Sequence, residues 1–197
     1  MLGGFIGLSV LLVFIMFMIM YARRRNQNKA ELFKAFAESK GLEYGQSTQF
    51  LYMTPQLTGS VGDLTIRIDE KIIGKGKSKK VYTQIIFSDS PIKVDFKIGK
   101  ETFFSKAGKI FGFKDIEFQD HQFDKTFLIK SSDESSFKAF LDYKKQALLS
   151  KNQHDLNGTL QCESGVFSYV SRMEIQKPSQ ITQLDHILEL MLELQKN

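Results

Sequence analysis

With 197 residues and 42% hydrophobic content, the chain is long enough for one sizeable domain plus a membrane segment, and too short for several large domains. Its formal charge of +5 is modest, no helical stretch carries a continuous basic face, and no aromatic-and-basic strand pattern occurs, which argues against nucleic acid as a partner. One cysteine, Cys162, excludes an internal disulfide framework and suits a reducing compartment, and 18 Phe with no Trp point to packing rather than ligand stacking.

In chain order, residues 1–22 come first. Leu2 to Ala22 contains no charged residue and matches the roughly 20 apolar residues that cross a bilayer as a helix. No basic n-region precedes it and Met20-Tyr21-Ala22 is a poor cleavage context, so a retained transmembrane helix is predicted rather than a secretory signal. Gly3 and Gly7 form a GxxxG pair that would let two such helices approach. Arg23, Arg24 and Arg25, in a basic linker over 23–28, hold the following chain on the cytoplasmic side, with the N-terminus outside. The same arginines suit anionic lipid head groups.

Residues 29–197 are expected to form a cytosolic α+β domain, whole or as two subdomains, 29–99 and 125–197, joined by an irregular 100–124. Asn28, placed three residues before Glu31, starts a short amphipathic helix that Gly41 ends. From Leu57 the period is two: 64–69 and 92–99 alternate apolar with polar residues, and 81–88 is β-branched and aromatic, giving an antiparallel meander. Residues 125–131 read as a strand, 131–150 as one helix, 158–175 as a hairpin about Ser164-Gly165, and the segment after Pro178 as a last helix. That helix has an apolar face wide enough for deep docking, which is expected over a partner-binding role. "FKAF" at 33–36 and 137–140, followed by "LTGS" at 57–60 and "LNGT" at 156–159, is an internal echo of the kind that duplication or chance produces.

Two stretches invite a chemical reading. "GKGKSKK" over 74–80 contains Gly-Lys-Ser, but a phosphate loop needs a glycine where Lys71 stands and a helix where a strand follows. It is therefore read as a hairpin tip, with Gly74 and Gly76 supplying positive φ. Lys75, Lys77, Lys79 and Lys80 are then candidates for contact with lipid head groups. Asp120, His121 and Asp124 are the best acid/base cluster and define a rival reading as a membrane-surface enzyme, although no metal-ligand spacing completes them. No nucleophile elbow exists and Cys162 has no neighbouring His, so no catalytic, cofactor-binding or metal residue is assigned.

The order Phe-Asp-x-x-Phe-hydrophobic-x-Lys-Ser-x-Asp in "FDKTFLIKSSD", followed by a helix and a hairpin, resembles a group of bacterial single-pass membrane proteins with a cytosolic α+β domain. The likeness covers Phe123 to about Tyr169 and the N-terminal layout. It implies an inner-membrane location and no catalytic residue, with Phe123 and Phe127 anchoring the core and Asp124 capping or pairing locally. The expected function is that of a membrane-tethered binding or scaffolding domain with a protein partner.

Overall fold

A computed structural model describes residues 2–49, 52–74, 76–100 and 113–196, with side chains at 11–46, 54–74, 76, 78–100 and 113–196. Among the described residues the fold is α+β, with one nine-stranded antiparallel sheet and five helices. Helix α1 spans Leu2–Lys40. The strands are β1 Glu43–Gln49, β2 Tyr52–Val61, β3 Leu64–Ile73, β4 Lys80–Ser88, β5 Phe96–Gly99, β6 Lys114–Asp115, β7 Leu128–Ser131, β8 Gly158–Glu163 and β9 Val166–Ser171. The remaining helices are α2 His121–Thr126, α3 Glu134–Phe140, α4 Tyr143–Lys151 and α5 Pro178–Leu194.

Sheet order is β1-β2-β3-β4-β9-β8-β5-β7-β6. Strands of 29–99 and of 125–197 therefore share one sheet, joined where β4 pairs with β9. Because successive side chains alternate faces, the register lines up rows across the strands. Leu57, Ile68, Ile85, Tyr169, Leu160, Ile98 and Ile129 form one buried row over seven strands. The next contains Ile66, Phe87, Phe167, Cys162 and Phe96, with Phe96 packed against Phe137, Phe140 and Phe167 at ring distances of 5.2–5.9 Å. On the opposite face Arg67, Ile86, Ser168, Gln161, Lys97 and Lys130 make a mostly polar row.

Over the apolar face lie the docked half of α1, through Phe33, Phe36 and Ala37, and α5, through Leu184, Ile187, Leu188, Leu190, Met191 and Leu194. The expected docking of the last helix is thus seen. Lys40 ties the two helices together by pairing with Asp185 and, at 3.5 Å, with Glu189.

Several expectations need correction. Residues 23–28 are helical, not a linker, and Asn28 starts nothing: α1 runs unbroken from Leu2. Arg23 to Gln27 contains no Gly or Pro, so propagating the helix costs less than breaking and nucleating it again. Its stop is as read: Gly41 has φ +66, and Leu42 N–H bonds to Ala37 C=O at 2.8 Å, closing a Schellman turn. The helix expected over 131–150 is two, because Asp142 accepts from Lys145 N–H and caps a new start. Ile92 and Val94 are buried as their alternation requires, but only Phe96–Gly99 of that stretch joins the ladder. Strands β1 and β2 were not expected before Leu57, and within 100–124 β6 and α2 are regular.

Among the described residues, no helix is long and apolar enough to cross a membrane. The side chains of α1 are described from Leu11 onward, and the apolar stretch among them, 11–22, is shorter than a span requires. Every large hydrophobic side chain from Leu11 to Tyr21 is nonetheless 44–68% exposed. Gly3 and Gly7 lie outside the described side chains.

Candidate functional site at the helix–sheet junction

The third inward row of the sheet is polar: Glu70, Thr83, Ser171 and Gly158 follow one another across β3, β4, β9 and β8. Here α1 leaves the sheet, and its Lys29 meets Glu70. Lys29 Nζ lies 2.8 Å from Glu70 Oε2 and 2.9 Å from Glu174 Oε1, while Arg25 Nη2 lies 2.8 Å from both Glu174 oxygens. Ile175 N–H donates to the other Glu70 oxygen at 2.8 Å. Four charges from α1, β3 and the β9–α5 connection therefore form one chain of contacts.

Its electrostatics are uneven. Glu70 is 1% exposed, and this burial pushes its carboxyl above the ordinary range although Lys29 and the Ile175 N–H pull the other way. Burial also pushes Glu174 up, but Lys29 and Arg25 outweigh it and hold that carboxyl below its ordinary value. A buried carboxylate keeps its charge only with such partners.

Beside this chain of charges opens a cleft of about 640 Å³ between α1 and the free end of the β3–β4 hairpin. Met18, Tyr21, Ala22 and Arg25 form its helical side, and Ile72, Lys79 and Val81 its strand side. The hairpin tip therefore stands level with the turn of α1 where apolar residues give way to basic ones.

The tip is as expected. Gly74 and Gly76 have φ +101 and +56, a 3₁₀ turn over Gly76–Ser78 leads into β4, and a Cβ on Gly74 would meet Ser78 C=O at 2.6 Å. Lys79 is exposed and lines the cleft, and Lys80 pairs with Ile73 at the start of β4. Lys75 and the Lys77 side chain lie outside the described residues. Arg23 and Arg24 are exposed on α1, whereas Arg25 belongs to the ion-paired chain.

Asp120, His121 and Asp124 lie at the N-cap and within α2, where the two carboxylates accept backbone N–H groups. Asp120 caps α2 by accepting from Gln122 and Phe123 N–H, and Asp124 accepts from Phe118 N–H at 3.0 and 3.1 Å, the local pairing anticipated for it. His121 is exposed. Phe123 and Phe127 are buried, 5.1 Å apart, as anticipated. Among the described residues no group of three His, Cys, Asp or Glu could hold a metal ion. His186 and Asp155, separate in the sequence, meet at 3.0 Å between α5 and the loop before β8.

Sequence reading missed Glu70, Glu174, Asn26 and Lys29. For Glu70 a signal existed: in "LTIRIDEKII" the inward positions Leu64, Ile66, Ile68 and Ile72 are apolar, and Glu70 interrupts them. Glu174 sits in an irregular connection and gave none. No protein-family model, curated protein or solved structure matches this chain.

Proposed function

We propose that the chain is a membrane-tethered, non-catalytic binding module of a bacterial inner membrane. Residues 2–22 cross the bilayer with the N-terminus outside, and the α+β domain faces the cytoplasm. Helix α1 is the rigid connector, which presents the domain to a protein partner at a fixed height above the lipid. Arg23, Arg24, Arg25 and the lysines of 75–80 then contact anionic head groups.

One observation carries this reading: the exposed apolar half of α1 continues without a break into the half that docks on the sheet. Apolar side chains at this density are unfavourable in water unless lipid or protein covers them. Extending the uncharged run back to Leu2 in the sequence gives the length of a span.

Alkaline carbonate extraction of membranes should leave the full chain in the pellet, and deleting residues 2–22 should release the domain. Protease added to spheroplasts should spare the domain; its digestion would overturn the orientation. For the rival enzyme at Asp120, His121 and Asp124, the two carboxylates already accept backbone N–H groups.

A further inference from the structure

The cleft between α1 and the β3–β4 hairpin has an apolar side and a charged side, the latter including Glu70 and Glu174 in their pairs with Lys29 and Arg25. Along α1, Tyr21 and Ala22 are followed within one turn, about 5 Å of rise, by Arg25 and Asn26. Lys79 and Val81 face them from β4 and the residue before it.

Arg25 has donors to spare. Both of its bonds to Glu174 come from Nη2, which leaves Nε and Nη1 of a five-donor group uncommitted. Asn26 is exposed and lines the same cleft. The Nε–H and Nη1–H donors point away from the Nη2–Glu174 contact and can each donate singly to a phosphate oxygen, and the Lys79 ammonium lines the same cleft. The apolar stretch of α1 from Leu11 to Tyr21 leads out of the cleft on one side and offers a path for an acyl chain.

We propose that this cleft binds the phosphodiester of a glycerophospholipid, with Arg25, Asn26 and Lys79 on the phosphate and the acyl chains lying along the exposed face of α1. The lipid would wedge the hairpin against the helix and so fix the domain on the membrane. This rests on the membrane placement of residues 2–22. It differs from diffuse attraction of basic residues to a charged surface, because it needs the cleft and not only its charge.

The test uses the full chain, extracted from membranes containing phosphatidylglycerol with a phosphate-free detergent, and mass spectrometry of the phospholipid that stays bound. A single retained phospholipid per chain is expected. K79Q should lower its retention roughly fivefold, the effect of removing one basic residue at a membrane surface. A22F, which fills the cleft without touching an ion pair, should lower it as well, and R25Q/K79Q further than either. The charge-matched K97Q/K130Q, in the polar row on the opposite face of the sheet, should leave retention unchanged.

Equal loss in K97Q/K130Q, or retention unaffected by A22F and K79Q, overturns the proposal. So does binding of soluble glycerol 3-phosphate with no lipid retained, which would make the site one for a free phosphate ester. Carbonate extraction of the same preparations separates the two readings: a chain that stays in the pellet but retains no lipid disproves the cleft site alone, and a chain that is released disproves the tether.

Discussion

Lys29 on α1 and Glu70 on β3, 41 residues apart in the chain, meet at 2.8 Å where the helix leaves the sheet. This contact makes α1 one body with the domain: below it the helix is held by Phe33, Phe36 and Ala37, and above it by the Arg25–Glu174 pair. A helix fixed at both levels transmits the position of its apolar half to the sheet, which a flexible linker over 23–28 would not do.

Removing Lys29 should be costly. Lys29→Met leaves Glu70 buried without its counter-charge, and breaking a buried pair from one side costs about 3–5 kcal/mol. Glu70→Gln should cost less, since the amide oxygen still accepts from Ile175 N–H and Lys29 keeps Glu174. Urea denaturation of the two variants measures the difference, and equal losses would show that the uncompensated charge left on Glu70 adds no penalty of its own.

The two glutamates predict opposite pH dependences. Glu70 has its folded value raised above the ordinary 4.5, so its contribution is complete below that pH and is lost as pH rises through the folded value. Glu174 has its folded value lowered, so its contribution is present above 4.5 and is lost as pH falls through the folded value. In denaturant midpoints taken between about pH 3 and pH 7, Glu70→Gln should gain on the wild type as pH rises, and Glu174→Gln should close its deficit as pH falls.

How far the fold was legible follows from where each signal resides. The β3 and β4 strands and the 164–165 hairpin are written in local alternation and turn residues, and the stop at Gly41 in one positive φ. The continuity of α1 was obscured because Asn28 and Glu31 imitate a capping box, and such a motif starts a helix only where one is not already running. Strand β1, with Gly45, Gln46 and Ser47, has little β propensity and exists because β2 pairs with it. The junction was least legible, since an ion pair between residues 41 positions apart leaves no local trace except Glu70 among the apolar positions of its strand.

Cys162 should be inert in the folded protein. It is fully buried in the second inward row, and burial together with the nearby Asp95 pushes its thiol up to about 11. At pH 8 only about one thiol in a thousand would be ionised, and no reagent reaches it. Ellman's reagent should report no free thiol until denaturant is added; prompt reaction under native conditions would place this row of the core in solvent.

The two glycines of the internal echo should respond differently to the same change. A Cβ on Gly158 would run into the Val170 carbonyl oxygen and stand 2.8 Å from the Tyr169 ring, and a backbone atom cannot move without parting β8 from β9. Gly158→Ala should therefore cost about 1–3 kcal/mol, the range for overpacking a core. At Gly59 the nearest atom is Leu42 Cδ2 at 2.9 Å, the far end of a side chain that can rotate away. Gly59→Ala also loses less backbone freedom on folding, a gain of about 0.4–1 kcal/mol that offsets the contact. Thermal denaturation should thus leave Gly59→Ala close to wild type and lower Gly158→Ala clearly. Equal behaviour would mean that the two positions face equivalent surroundings, as a duplicated unit requires and as these contacts do not provide.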